Sequence, residues 1–404
     1  MRSIIILIGS RVVNGLFGLL LFVMLKEMIS ITGYSSFSSS YANLTLLSTL
    51  AGGVLSGLLL KNAFHLGSIY KHIIYFYTAF FMALIIVPLE LAILLNVFNH
   101  ISRFAIYFFI LGHLISSVVL IHYQLNQQFL KMTIIEIFRT IFPLVFMLVL
   151  KYSFHVTVLS IDHVILIMAL GNLLGFFFFI RICRLSISAK MASIKAYLSV
   201  KLKSDLSYGF SFASFNALAQ LIIVRDRDLI VANPDAVQSS KVAYTADQLT
   251  KITNGVLFPL NTKVSSEVGG LIRDGKQQSF YRRLFKYSLF TLVAGSIIIA
   301  GILGFTYLYH HLRVFNTIDL MAVVYYGLAN TIYLACLIYQ KRYDYSRFKL
   351  LPTLLLLAAG MFAFLLIDFV KIELSFFFVS ATLFGLFLWI STWFLPSHKL
   401  VLKH

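Results

Sequence analysis

Apolar residues fill about a dozen stretches of roughly 20 residues in this chain, and short polar segments separate them. A helix needs about 20 apolar residues to cross the hydrocarbon core of a bilayer. A helix also satisfies its own backbone hydrogen bonds, as lipid requires. The pattern predicts an all-α integral membrane protein with about twelve transmembrane helices, near residues 3–28, 38–60, 73–97, 104–125, 132–150, 161–181, 208–232, 240–262, 285–309, 318–339, 349–370 and 373–395.

The composition excludes a water-soluble globule. Of the 404 residues, 60% are hydrophobic and 12% are charged, and the mean hydropathy is +0.90. A soluble domain carries about 25% charged residues, so this chain has too few to cover a surface in water. The net charge is +18, but the cations lie mostly between the spans, which favours anionic lipid over nucleic acid as their partner. Cys183 and Cys336 match no disulfide or metal spacing.

Lysine and arginine are distributed unevenly between alternate loops. If the N-terminus is cytoplasmic, the cytoplasmic segments carry about 22 of these cations and the outer segments about six. Because such cations are enriched on the cytoplasmic side, we expect both termini to lie in the cytoplasm. No small-residue cleavage site follows the first apolar run, so we expect that run to be a retained helix.

A basic polar segment at residues 182–207 divides the chain into two halves of similar size. Its apolar residues recur at helical spacing, which is typical of a helix lying on the inner leaflet, although a plain linker explains them equally well. We therefore expect an N-terminal six-helix lobe at 1–181 and a C-terminal six-helix lobe at 208–404. Three residues recur about 200 positions later, which favours related halves: Asn14, Tyr41 and Gly52 with Asn216, Tyr244 and Gly255.

Five cations lie inside predicted spans, where a charge costs at least about 2.5–3.5 kcal/mol. They are Arg11, Arg139, Arg225, Arg227 and Lys251. If their side chains face one lumen, they form a cationic cavity for an anion such as a diphosphate, which guanidinium groups bind bidentately. The alternative is local pairing with neighbouring carboxylates on the same helix, for which the candidates are Glu136, Asp226, Asp228 and Asp247.

The intramembrane carboxylates also allow a different function. Proton- or sodium-coupled exporters of cationic drugs require an acidic residue in the pore, and Glu136, Asp226 and Asp247 are the candidates for ion coupling or charge pairing. His113 and His122 are expected to be hydrogen-bonded structural histidines. The sequence contains no nucleotide-binding, zinc or nucleophile motif, so we expect no catalytic residue, no metal and no cofactor beyond an H⁺ or Na⁺ gradient.

Several stretches resemble the polysaccharide flippases of the multidrug/oligosaccharidyl-lipid/polysaccharide (MOP) exporter superfamily, specifically the Wzx-type O-antigen transporters. In the seventh and eighth predicted spans the similar stretches read YGFSFASFNALAQLIIVRDRDLIVA and VAYTADQLTKITNGVLFPLNTKVSSEVGGLIRDGK. Near the N-terminus they read RVVNGLFGLLL and GYSSFSSSYANL. The similarity extends over most of the chain.

This resemblance implies a MOP/MATE-like fold with two six-helix lobes around a central cavity. It implies alternating-access transport of an undecaprenyl-diphosphate-linked oligosaccharide repeat unit to the periplasmic leaflet, as in lipopolysaccharide biosynthesis. Arg11 and Arg227 would then face the cavity. Membrane lipid would be a partner, and an O-antigen polymerase and a chain-length regulator are candidate partners.

Two alternatives stay open at this stage. One is an ion-coupled multidrug or small-molecule antiporter on the same fold. The other is a membrane glycosyltransferase or O-antigen polymerase, which is disfavoured because no predicted outer loop exceeds about a dozen residues and such polymerases need a large one.

Overall fold

The regular structure of the described residues is entirely α-helical. The computed structural model describes residues 2–29, 33–62, 70–94, 98, 101–125, 128–183, 235–273, 277–308 and 320–344, together with 206, 209, 210, 213, 224, 227, 228 and 230–232. The helices are α1 (Arg2–Met28), α2 (Gly33–Asn62), α3 (Tyr70–Leu94), α4 (Arg103–Leu125), α5 (Phe129–Tyr152), α6 (Ile161–Leu170), α7 (Leu173–Cys183), α8 (Ala236–Arg273), α9 (Gln277–Leu308) and α10 (Leu320–Asp344).

Nine of the twelve predicted spans coincide with these helices, which confirms the all-α membrane fold. Four helical stretches in the described part are long and apolar enough to cross a membrane: Arg103–Tyr123, Leu130–Tyr152, Ile161–Ile182 and Arg282–Leu308. The seventh predicted span is described only at separate residues. The spans at 349–370 and 373–395 and most of the 182–207 linker lie outside the described residues.

The sixth span is not the continuous helix that we predicted. It is divided into α6 and α7 at Gly171 and Asn172. A Cβ atom on Gly171 would lie 2.6 Å from the carbonyl oxygen of Arg139 and 3.1 Å from Cγ of Pro143. This contact brings the end of α6 against α5 more closely than any larger residue permits. Glycine and asparagine are also weak helix formers, so the helix ends here at little cost.

The helix α8 is longer than the predicted eighth span, because it continues to Arg273. Its last turns are polar, and hydropathy alone could not distinguish a helix that leaves the membrane from a loop.

The helix α1 connects the two halves of the described structure. It packs along α5 in its own half and along α8 in the other half. The helix α2 packs on α4 and also reaches α8, while α8, α9 and α10 pack on one another. One buried apolar cluster joins the halves, since Leu25 and Phe37 belong to the same cluster as Ala243 and Tyr244.

The helix ends that we predicted to share one membrane face do meet. The backbone N–H of Leu159, after α5, donates to the carbonyl oxygen of Met28 at the end of α1 (2.7 Å). Lys151 pairs with Glu27 across the same two helices. The start of α8 reaches this face too, because the Lys26 ammonium lies 4.2 Å from the ring centroid of Tyr244. The alternating path of these spans is therefore consistent with the predicted topology.

We expect the Gly171→Ala variant to have a lower Tm in detergent, because its Cβ would overlap the Arg139 carbonyl oxygen. Overpacking of this kind costs about 1–3 kcal/mol. Gly301→Ala in α9 is the matched control, since nothing lies within 4 Å of a Cβ at that position. Equal Tm values for the two variants would contradict the close approach of α6 to α5.

Candidate functional site at the contact between the two halves

Asp247 of α8 is the centre of a polar network between the halves. Its Oδ1 accepts a hydrogen bond from the Arg227 guanidinium at 2.8 Å. Its Oδ2 accepts from the Ser38 hydroxyl at 2.9 Å and from the Tyr34 hydroxyl at 3.2 Å. Arg227 lies in the C-terminal half and the two hydroxyls lie in α2, so one carboxylate joins both halves.

Helical spacing explains how α2 provides both hydroxyls. Tyr34 and Ser38 are four residues apart, which places them on the same face one turn apart. Ser39 is rotated about 100° from Ser38, and its hydroxyl donates to Oδ1 of Asp228 at 2.7 Å. The serine-rich start of α2 therefore supplies donors to two carboxylates of the C-terminal half.

The ion pair in this network is largely buried. The side chain of Arg227 is 6% exposed and that of Asp247 is 15% exposed. The guanidinium carbon of Arg227 also lies 5.5 Å from the ring centroid of Tyr326 in α10, at a distance where a cation and an aromatic face attract. The sequence left local pairing and a cavity position open for Arg227, and the structure shows an ion pair with Asp247 of α8.

Lys251 lies one helical turn beyond Asp247, on the face of α8 that meets α1. We considered pairing between these two residues, but the Lys251 ammonium lies 5.0 Å from the ring centroid of Phe22 in α1. Gly18 of α1 lies beside the lysine stem, because a Cβ there would be in ordinary van der Waals contact with Cδ of Lys251, at 3.5 Å. The same Cβ would be 4.0 Å from Thr140 of α5, so Lys251 reaches the junction of α1, α5 and α8.

Arg139 contacts a histidine. Its guanidinium lies 2.9 Å from Nδ1 of His113 in α4. Because a guanidinium only donates, the imidazole Nδ1 must accept, which requires a His113 ring with its proton on Nε2. This agrees with the prediction of a hydrogen-bonded structural histidine. Glu136, which we considered as a partner of Arg139, is buried at 8% exposure on the same helix.

Some predicted site residues lie outside the described part of the chain. Arg225 and Asp226 are among them, and for Arg11 only the backbone position in α1 is described. Conversely, sequence reasoning missed Tyr34, Ser38 and Tyr326 as partners of the charged residues. The four-residue spacing of Tyr34 and Ser38 could have indicated a polar face on this helix, but a spacing does not identify the residue that the face contacts.

Comparison with solved structures identifies the fold. A MOP superfamily transporter from Pyrococcus furiosus, whose binding pocket is described as having reversed polarity, superposes with a TM-score of 0.64 at 10% identity over 97% of this chain and 94% of that one. A mutant of the Vibrio cholerae MATE transporter VcmN gives 0.62 at 13% identity over 99% of both chains. The eukaryotic MATE transporter AtDTX14 gives 0.59 at 12% identity over 98% and 96%.

No protein-family model and no curated protein matches the sequence. At such low identity the structural likeness defines the fold alone. The chain has the all-α membrane fold of the MATE transporters of the MOP superfamily.

We expect Arg227→Gln to lower the free energy of unfolding by about 3–5 kcal/mol, because it leaves the Asp247 carboxylate without its buried counterion. The double variant Arg227→Gln/Asp247→Asn should lose less than the sum of the two single variants. Thermal unfolding in detergent measures both effects.

The exposed pair of Arg103 and Glu90 serves as the control. Their charged atoms are 3.7 Å apart, and the side chains are 64% and 36% exposed. Arg103→Gln should therefore cost less than about 1 kcal/mol. A coupling between Arg227 and Asp247 as small as this would show that their contact is not a stabilising ion pair.

Proposed function

We propose that this protein is a membrane transporter that moves a lipid-linked oligosaccharide across the bacterial inner membrane by alternating access. The cargo would be a sugar repeat unit on undecaprenyl diphosphate, delivered from the cytoplasmic to the periplasmic leaflet. The MOP superfamily fold supports transport, and the resemblance to Wzx-type flippases supports this cargo. Cytoplasmic termini and coupling to an H⁺ or Na⁺ gradient remain part of the proposal.

The position of Lys251 carries the argument. Asp247 is the acidic residue one turn away, and it already pairs with Arg227. The lysine instead extends across the contact between the halves toward Phe22. A cation at membrane depth is expensive, so such residues typically face water or an anionic ligand. A diphosphate that enters between the halves would meet this ammonium, which would replace part of its lost hydration.

The other predicted cations contribute unequally to this proposal. Arg227 is neutralised by Asp247 in the present conformation and adds little net charge to a cavity. Arg139 lies on α5 next to Thr140, which is at the level of Gly18 and Lys251. Arg11 and Arg225 stay candidates from the sequence. The cationic cavity therefore rests on Lys251, with Arg139 as the second candidate.

An ion-coupled drug antiporter is the second candidate function, because one observation favours it. Asp228 and Asp247 are carboxylates at the contact between the halves, and each accepts a hydrogen bond from α2. An exporter of cationic drugs requires a carboxylate that can exchange between a proton or sodium ion and its cargo. Asp247 is held by three donors, which makes Asp228 the better candidate for this exchange.

We expect Lys251→Met to reduce transfer of a fluorescent undecaprenyl-diphosphate oligosaccharide across proteoliposomes at least tenfold, whereas Lys251→Arg retains most of it. Lys286→Met is the matched control, since Lys286 is exposed on α9. Full activity of Lys251→Met would remove the main support for an anionic cargo.

The antiporter hypothesis predicts a different result in the same vesicles. If it holds, Asp228→Asn abolishes export of a cationic dye driven by a proton or sodium gradient, and Lys251→Met does not. Under our proposal, wild-type protein exports no dye and Asp228→Asn still transfers the lipid-linked oligosaccharide.

A further inference from the structure

In the described part of the chain, three side-chain hydrogen bonds between the halves begin at the start of α2. Tyr34 and Ser38 donate to Asp247, and Ser39 donates to Asp228. In every case the hydroxyl belongs to the N-terminal half and the carboxylate to the C-terminal half. All three hydroxyls lie within the first two turns of α2.

Apolar and aromatic contacts close the same end of the molecule. The rings of Tyr34 and Tyr244 meet edge to face with centroids 5.7 Å apart. The ammonium of Lys26, near the end of α1, lies over the Tyr244 ring. Ala243, next to Tyr244, has no exposed surface and belongs to the cluster that contains Tyr34. The halves are therefore in direct contact where α1 ends and α2 and α8 begin.

Both charged residues of the ion pair in this network belong to the same half of the protein. Arg227 and Asp247 both belong to the C-terminal half, so their ion pair can persist when the halves move apart. In the described part of this network, the hydrogen bonds that cross between the halves come from the hydroxyls of α2. Water can replace a hydroxyl donor, whereas loss of the guanidinium would leave a charge without its counterion.

We propose that Tyr34, Ser38 and Ser39 together with Asp228 and Asp247 form a gate between the two halves, which we call the hydroxyl–carboxylate gate. It closes the interlobe path on the predicted periplasmic side and opens by exchanging its hydroxyl donors for water. Arg227 is a positioning residue of this gate, because it keeps Asp247 neutralised in both states. The proposal does not depend on which cargo is carried.

The first experiment measures opening directly, without a cargo. Ala243→Cys, in a Cys183→Ser/Cys336→Ser background, is the reporter, and a membrane-impermeant maleimide is added to intact spheroplasts. We expect the additional pair Ser38→Ala/Ser39→Ala to raise the labelling rate severalfold, since it removes two of the three hydroxyl donors. The matched control is Ser288→Ala, whose hydroxyl bonds Ala335 within the C-terminal half.

Two results of this experiment would overturn the gate. One is an unchanged labelling rate in the Ser38→Ala/Ser39→Ala variant at normal protein abundance. The other is an equal rise in the Ser288→Ala control, which would indicate general loosening of the fold. If the reagent reacts only from the cytoplasmic side of inverted vesicles, the gate lies on the opposite face and the proposed side is wrong.

The second experiment tests whether the gate must open for transport. Lys26→Cys/Tyr244→Cys, in the Cys183→Ser/Cys336→Ser background, joins the halves beside the gate through a short bifunctional methanethiosulfonate reagent, and neither residue belongs to the gate. Ser288→Cys/Ala335→Cys places the same link inside one half. We expect only the first link to reduce oligosaccharide transfer at least tenfold, and we expect transfer to recover when the link is reduced. Undiminished transfer by the linked protein contradicts a gate that opens. Absence of transfer before linking contradicts the proposed cargo, while the labelling experiment still decides the gate.

Discussion

A carboxylate buried at membrane depth must be neutralised, and the way in which Asp247 meets this requirement organises the contact between the two halves. Its two oxygens accept hydrogen bonds from different partners. Oδ1 accepts from the guanidinium of Arg227, and Oδ2 accepts from the hydroxyls of Tyr34 and Ser38. Removing the counterion of a buried pair costs about 3–5 kcal/mol. A hydrogen bond to a charged group contributes about 1.5–3 kcal/mol. The halves are thus joined by the weaker bonds, and the stronger pair remains inside one of them.

Close packing surrounds this network and gives it a defined geometry. In the N-terminal half, α6 ends directly against the backbone of α5, and a Cβ on Gly175 of α7 would lie 3.2 Å from Cα of Ser116 in α4. Lipid provides little hydrophobic drive between helices, so close approach at small residues is a main source of their attraction. Between the halves, hydroxyls, aromatic rings and Lys251 add to a buried apolar cluster, and a Cβ on Gly209 would lie 2.8 Å from the carbonyl oxygen of Val54. Close packing therefore also holds the two halves together.

The sequence placed five cations inside predicted spans and left their partners open. It placed Arg227 and Lys251 correctly inside helical segments, and depth could be estimated from the helical rise. It could not determine that Asp247 pairs with Arg227 of another element, or that the Lys251 ammonium lies over the Phe22 ring. Neighbours at three or four positions along a helix are visible in a sequence, whereas partners more than 200 positions apart, such as Tyr34 and Asp247, are not.

The sequence alone determined the class of fold, the approximate limits of most helices in the described part of the chain, and the preference of the chain for a membrane. These follow from the lengths of apolar runs, because hydrocarbon thickness and backbone hydrogen bonding act locally on each segment. Only the tertiary structure decided where the sixth span breaks, which carboxylate pairs with Arg227, and which helix ends meet between the halves. Those features depend on distances between segments far apart in the chain, which no local pattern specifies.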